Sequence, residues 1–301
     1  MTHPLIRKMP RFLIVLASLL CCWGLGQADP AKTAPRPSGW FTAEEVAPNT
    51  WRIDDHGIAN VYLVLGTQRA LLVDTGAGAA DLRGFAQSLT SLPLSVINTH
   101  GHPDHVGANF QFGEIMAPAA DFAAIRQMAT PEDLRAHAGM LGGAVVPDSD
   151  LYRGPVQPLT LTAVEDGEMI DLGGRTLEVI ESPGHTPGEI VLLDSRNKLL
   201  FAGDNSNTLV WLFLSNCLPL ETYLQSLEKV EARAGEFSRV LPGHGGPIEG
   251  DFVGEQIACV KGILAGTAPS EEYKTFVGVA RLSRHQRAAV AFDPNNLRAA
   301  K

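Results

Sequence analysis

Cysteine is scarce: the 301-residue chain has 4, and beyond residue 28 only Cys217 and Cys259 remain. A fold stapled by several disulfides is therefore excluded. One disulfide in an oxidising compartment and two separate buried thiols both stay open. Long apolar runs are also missing after residue 25, so no later segment is expected to cross a membrane. Positive charge is in deficit. With Arg7, Lys8 and Arg11 of the first segment set aside, the 24 basic residues fall to 21 against 33 acidic ones, a net charge of −12. That balance argues against a nucleic-acid surface and against stable association with an anionic membrane. No internal repeat is visible, and no break in composition follows residue 40.

What is present is ordinary globular composition, 45% hydrophobic and 19% charged. The first 28 residues stand apart. Three basic residues precede the uncharged run Phe12 to Leu25, and Gly26-Gln27-Ala28 places small residues where a signal peptidase would cut. Residues 1–28 are thus expected to be a secretory signal, and the mature protein to be periplasmic or secreted. Residues 29–45, beginning with the proline-rich Asp29 to Gly39, are expected to be a flexible mature N-terminus. Residues 46–301 are expected to form a single domain.

Within that domain, Val61–Leu65 and Ala70–Asp74 flank Gly66-Thr-Gln-Arg69 and predict a hairpin. Ala80 to Leu89 suits a helix, and Val96 to Thr99 a short strand. Residues 119–141 suit two helices, the second starting at Thr130-Pro131-Glu132-Asp133. Strands return at 157–163, 168–172, 175–181, 189–194 and 198–203, then helices at 219–234 and 251–265. Leu220, Tyr223, Leu224, Leu227 and Val230 form one apolar stripe, read as core. Strands followed by helices, twice over, predict two sheets packed face to face with helices outside each.

The strand at 96–99 runs directly into T-H-G-H-P-D-H-V-G, where three of the chain's nine histidines and one aspartate fall between His100 and His105. By composition such a pattern arises by accident in roughly one chain in a few thousand. Neutral imidazole is the commonest metal ligand, and mixed His and carboxylate sets suit zinc. His100 and His102 are two apart and share a side of an extended strand end. Asp104 and His105 follow a proline and can turn towards a second point. One loop could feed two adjacent ions but close neither, so distant ligands are required. Three candidates each lie at a strand end behind a glycine: His185 in S-P-G-H-T-P-G, Asp204 in L-F-A-G-D and His244 in V-L-P-G-H-G-G.

Taken in order, LLVDTG, HGHPDH, PGHTPG, FAGD and LPGHG resemble the metallo-β-lactamase fold superfamily of dinuclear hydrolases, over roughly residues 46–250. The resemblance implies an α+β fold, a four-layer αββα sandwich. It implies that His100, His102 and His185 hold one metal ion, that Asp104, His105 and His244 hold the other, and that Asp204 bridges them. Asp74 is implied as the residue behind the ligands that steadies the loop. Among the remaining histidines, His137 and His285 are expected at the surface. His56 and Trp211 are candidate substrate contacts; for Trp211 the competing expectation is a buried core strand.

The expected chemistry is metal-assisted hydrolysis. Two zinc ions per chain, with iron or manganese as alternatives, would share a hydroxide that attacks a carbonyl, and Asp104 would orient it. The expected substrate is a small molecule with an ester, lactone or thioester bond, because an aspartate at the bridging place favours thioesterase and lactonase sites over true metallo-β-lactamases. A glyoxalase-II-like enzyme is disfavoured by the short tail after residue 266, and RNA processing by the charge. A β-lactam-hydrolysing enzyme and a non-catalytic metal-binding protein on the same fold are the alternatives.

Overall fold

A computed structural model describes residues 38–128, 130, 132 and 145–299. The expected signal, His137 and most of the helix expected from Thr130 lie outside the described residues.

The first sheet has seven strands in chain order: β1 (Phe41–Ala47), β2 (Thr50–Asp55), β3 (Asn60–Leu65), β4 (Ala70–Val73), β5 (Leu94–Ile97), β6 (Glu114–Pro118) and β7 (Thr160–Val164). The first four strands form an antiparallel meander, and β4 to β7 run parallel. Parallel neighbours need a crossover. Helix α1 (Leu82–Leu89) supplies the one between β4 and β5. Its N-cap is Asp81, whose side chain accepts the Gly84 N–H at 2.8 Å.

The second sheet runs β14-β13-β11-β10-β9-β8. Its strands are β8 (Met169–Asp171), β9 (Thr176–Glu181), β10 (Ile190–Asp194), β11 (Leu199–Gly203), β13 (Arg239–Pro242) and β14 (Ile248–Glu249). A third sheet of four strands, β12 (Leu209–Leu212), β17 (Ala288–Phe292), β16 (Gly278–His285) and β15 (Ser270–Thr275), lies beside it in that order.

Alternation along the strands sets the layers. In β4, Leu71 and Val73 pack between the two large sheets, against Leu177, Val179, Leu192 and Phe201. Ala70 and Leu72 face the other way, towards Leu82, Phe85 and Leu89 of α1 and Ile125 of the short helix α3 (Phe122–Arg126). In β10, Ile190 and Leu192 face inward, while Val191 and Leu193 pack on α4 (Leu220–Glu231) and α5 (Phe252–Leu264). Strands buried on both faces read as continuous apolar runs, as β4, β10 and β11 do. The result is the αββα sandwich. The stripe on α4 is core, as expected, and Cys217 and Cys259 are two separate buried thiols.

Two expectations need correction. Residues 41–45 are not flexible: they belong to β1, and Trp40 just before them is 1% exposed. Its indole N–H donates to Asp55, and its backbone N–H donates to Asp150 at 2.7 Å. The segment after residue 266 is also more than a short tail. It adds strands β15 to β17: on β16 charged residues alternate with Ala280 and Leu282, which pack on one face of the third sheet with Ala289 and Ala291 of the wholly buried β17, so on β16 only half the residues carry the strand pattern. His285, at the end of β16, is exposed.

Candidate metal centre

The expected ligands all lie at one edge of the sandwich, where strands of both large sheets end. Strand β5 delivers His100. A single helical turn, α2 (Pro103–Val106), with Pro103 at its start, turns Asp104 and His105 inward. His185 follows β9, Asp204 follows β11 and His244 follows β13. The residue before each explains the glycines. Gly203 has φ +49°, a region costly for other residues. A Cβ at Gly243 would lie 2.4 Å from Asp204 Oδ1, so the backbone passes where no side chain fits.

Three overlapping groups have their ligand atoms within 4.8 Å of one another: His100, His102 and His185; His100, His105 and Asp204; and Asp104, His105 and His244. Asp204 stands between the outer two. Its Oδ2 is 3.4 Å from His185 Nε2 and 3.2 Å from His244 Nε2, and its Oδ1 is 3.4 Å from His105 Nε2. His102 Nδ1 lies 2.8 Å from His185 Nε2, and Asp104 Oδ2 lies 3.4 Å from His244 Nε2.

The backs of the imidazoles are held, which fixes which nitrogen faces inward. His105 Nδ1 donates to Asp74 Oδ2 at 2.9 Å. His185 Nδ1 donates to the Trp211 carbonyl at 2.7 Å. The Thr99 hydroxyl donates to Asp74 Oδ2 at 2.8 Å, so its oxygen is left to accept from His100 Nδ1 at 3.0 Å. Asp74 Oδ1 takes the Thr99 N–H at 2.7 Å. Asp74 therefore ties two of the histidine-bearing positions to the end of β4.

These residues fit a pair of cations. Buried polar atoms are nearly always paired. Yet His100 Nε2 and Asp204 Oδ1 are buried with no hydrogen-bond partner, and both point among the other ligand atoms. Burial, then the neighbouring imidazoles, holds His100 well below its ordinary pKa, and burial with His185 brings His102 down to about 4. Both are thus neutral rings with a free lone pair. Around His105 the balance reverses. Burial alone would lower it, but Asp204, Asp104 and Asp74 carry it up to about 10. Three carboxylates there draw positive charge. Asp204, despite burial, is held well below the carboxylate range by His244 and His105.

A family model described as the metallo-beta-lactamase superfamily matches residues 54–244, from the end of β2 through His244. The chain belongs to the metallo-beta-lactamase superfamily. Among relatives, an acyl-coenzyme A thioesterase, MBLAC2, from Gallus gallus is 32% identical over 205 residues, covering 62% of this chain and 72% of that protein. The hydroxyacylglutathione hydrolase GloC of Haemophilus influenzae is 29% identical over 137 residues, covering 46% and 61%. Among solved structures, a metallo-beta-lactamase family protein from Thermus thermophilus superposes with a TM-score of 0.52 at 22% identity, covering 73% of this chain and 81% of that one. The DIM-1 metallo-beta-lactamase gives 0.54 at 15%, covering 76% and 100%. At such identities the structures establish the sandwich alone. As a member of this superfamily the chain is a hydrolase.

Within the superfamily frame, three further residues brace the centre, and no motif announced them. Asp121, 3% exposed, accepts the Gly101 N–H at 2.8 Å and the Thr186 hydroxyl at 2.6 Å on Oδ2, and the Gly188 N–H at 2.8 Å on Oδ1. One carboxylate thereby joins the loop of His100–His105 to the loop of His185. Asn216 sets its side-chain amide against His102 Nε2, at 3.1 Å from Nδ2 and 3.3 Å from Oδ1. Glu189, fully buried, accepts the Asp204 N–H at 2.8 Å. Burial, then Asp204 and Asp121, pushes its pKa well up, favouring the neutral acid.

Of the two candidate substrate contacts, His56 is exposed at the β2–β3 turn, where its ring stacks on Trp40 with centroids 4.4 Å apart. Trp211 is half-buried on β12, so it is neither core nor free: its carbonyl serves His185 and its ring lies among Phe213, Tyr273 and Phe276.

Proposed function

We propose that this protein is a dinuclear metal-dependent hydrolase of small-molecule thioesters. The observation that carries this reading is Asp204, with two carboxylate oxygens turned towards His105, His185 and His244, placed to serve two cations at once. His100, His102 and His185 would hold one ion, Asp104, His105 and His244 the other, with zinc the metal best suited to nitrogen and oxygen donors and iron or manganese able to replace it. Bound there, such ions polarise a carbonyl and bring the pKa of water from about 15.7 towards 7.

The chain's own groups supply orientation and proton handling. Asp74, Thr99 and the Trp211 carbonyl hold three imidazoles by one ring nitrogen, so that the other faces inward. Asp104, whose side chain is 19% exposed against 11% for Asp204, is the ligand carboxylate nearest solvent. It is placed to hold a proton for the leaving group. The thioester preference is supported by the relatives named as an acyl-coenzyme A thioesterase and a hydroxyacylglutathione hydrolase, and by an aspartate rather than another residue at the bridging place. The basic, then apolar, first 28 residues support export of the mature chain.

The test offers zinc-loaded protein an acyl-coenzyme A, an S-acyl glutathione, an acyl-homoserine lactone and a cephalosporin, with Asp204→Ala as the blank. Turnover of the thioesters above the blank is expected. Turnover of only the lactone or the cephalosporin would move the assignment to that bond. Silence across the panel from protein carrying two metal ions would leave a binding role.

A further inference from the structure

We infer that the aromatic face of the third sheet, from Trp211 to the tip of the β15–β16 hairpin, receives the apolar acyl chain of the substrate. This deepens the thioester reading and rests on it. Seven large apolar side chains are exposed among the described residues, and three of them cluster at this hairpin: Phe276 at 80% and Val277 at 48% in the turn, and Val279 at 62% on β16, paired with Lys274 and on the sheet face opposite Ala280. The turn is close to Trp211: the Phe276 and Trp211 ring centroids are 6.0 Å apart, and the Phe213 and Trp211 centroids 5.2 Å. Beneath them, Trp211, Phe213 and Tyr273 pack on Ala280, Leu282, Ala289 and Ala291. Alanines at three of those places let broad rings lie close to the sheet.

The patch is continuous with the metal centre. Trp211 gives its carbonyl to His185 at 2.7 Å, and the loop after Phe213 brings Asn216 to His102 at 3.1 Å. A carbonyl carbon held between the metal ligands would have its substituent starting at the foot of this wall.

The chemistry of the patch selects its occupant. Three exposed side chains are far fewer than the roughly 20–30 residues per side of a stable protein interface. A docked membrane surface calls for unpaired basic residues at the rim. Here Lys274 is paired with Glu272 at 2.9 Å, and Arg284 stands 4.0 Å from Glu271. An uncharged flexible chain needs neither. Each methylene moved from water onto such a wall contributes up to about fourfold in affinity, the equivalent of about 0.8 kcal/mol.

The test compares kcat/KM for acetyl, hexanoyl and decanoyl thioesters of one small thiol, in wild type and in Phe276→Ser, with Val279→Ser, on the other face of the sheet, as the control whose chain-length ratio should stay at the wild-type value. Both substituted residues are exposed, so the fold is unaffected. The decanoyl-to-acetyl ratio is expected to exceed about tenfold in wild type and to fall about tenfold in Phe276→Ser, through KM. Decanoate and acetate binding, read by tryptophan fluorescence, is measured beside it because it needs no hydrolysis. Decanoate that binds wild type and binds Phe276→Ser about tenfold more weakly supports the wall even if no thioester is cleaved; in that case only the thioester reading falls. Thioester cleavage with a flat chain-length ratio and no decanoate binding would overturn the wall and leave the thioester reading standing. A change of oligomeric state in Phe276→Ser with the ratio intact would assign the patch to a second copy of the chain, and would also overturn it.

Discussion

Strand β9 has a buried polar cluster at each end, and the two are built on opposite rules. At its start, Arg175 is 6% exposed and Asp194 fully buried. Arg175 Nε donates to Asp194 Oδ2 at 2.7 Å, its NH1 to the Asn49 carbonyl at 2.9 Å and its NH2 to Thr50 Oγ1 at 2.7 Å. Asp194 also takes the Asn197 N–H at 3.0 Å. The charges cancel and each polar atom is met, which is what a buried ion pair needs merely to break even. At the far end, beyond β9, the His and Asp side chains of the metal centre crowd together. Two of their atoms have no hydrogen-bond partner, and His100 and His105 are pushed in opposite directions by the same surroundings. Satisfaction marks the structural cluster; at the other end, buried unpaired atoms that converge with other metal-ligating side chains mark a set suited to a cation.

The comparison breaks first at Asp204. Asp204→Ala removes the group shared by both proposed ions. Metal content should fall from about two per chain towards zero and hydrolysis by about a thousandfold, in line with the several kcal/mol of transition-state stabilisation a Lewis acid supplies. Metal analysis and kinetics on the folded variant check this. The opposite cluster should behave in reverse. Asp194→Ala strands the Arg175 guanidinium and should cost about 3–5 kcal/mol of stability while bound metal per folded molecule is unchanged. Denaturant unfolding with metal analysis separates the two. An Asp194→Ala protein that folds normally but loses its metal would erase the distinction.

Asp55 lies between these extremes: its hydrogen bonds are made, yet its charge is not neutralised. Its carboxylate accepts from the Trp40 indole and from the Ala77 N–H at 2.6 Å, tying β1 to the loop behind Asp74. Burial nevertheless carries its pKa from 3.8 up to about 6. A raised folded-state pKa means that folding takes up a proton between those values. The stability Asp55 adds is therefore whole below about pH 4 and is lost as pH rises through about 6, a swing of about 3 kcal/mol. The stability difference between wild type and Asp55→Asn in metal-free protein should shrink by that amount from pH 4 to pH 7. A difference that stays flat across the window would show that Asp55 is ionised as easily in the fold as outside it.

How much of this was readable depends on whether a residue travels with a local pattern. The seven proposed ligands sit in short glycine-marked motifs at strand ends, and β4, β10 and β11 are buried on both faces, so both were legible in the chain alone. Asp74 was legible only through the resemblance. Trp40, Asp121, Asn216 and Arg175 were not, because each acts on residues 15 to 126 positions away along the chain and sits in a stretch that reads as loop or strand edge. The third sheet escaped for a different reason. Its strands β15 and β16 carry Glu271, Glu272, Lys274, Arg281 and Arg284, and a single apolar face reads weakly beside so much charge.

Asp121 sharpens the comparison most finely, because it belongs to the metal centre yet is fully satisfied. Its two oxygens receive three donors, one from the loop of His100–His105 and two from the loop of His185. Asp121→Asn keeps the size and one acceptor, but the amide nitrogen must then face a donor on one side. The fold is held by the cores on either side of both sheets, so it should survive. What should change is the separation of the two loops, and with it the match between His102 and His185. A drop of about 10- to 100-fold in metal affinity is expected, the range typical of residues that orient ligands. With cobalt in place of zinc, the visible spectrum should shift, reporting altered ligand geometry, while the unfolding midpoint of the metal-free protein moves little. If instead the midpoint falls and the spectrum and affinity stay, Asp121 is a second Asp194, and satisfaction alone would tell the two ends of β9 apart.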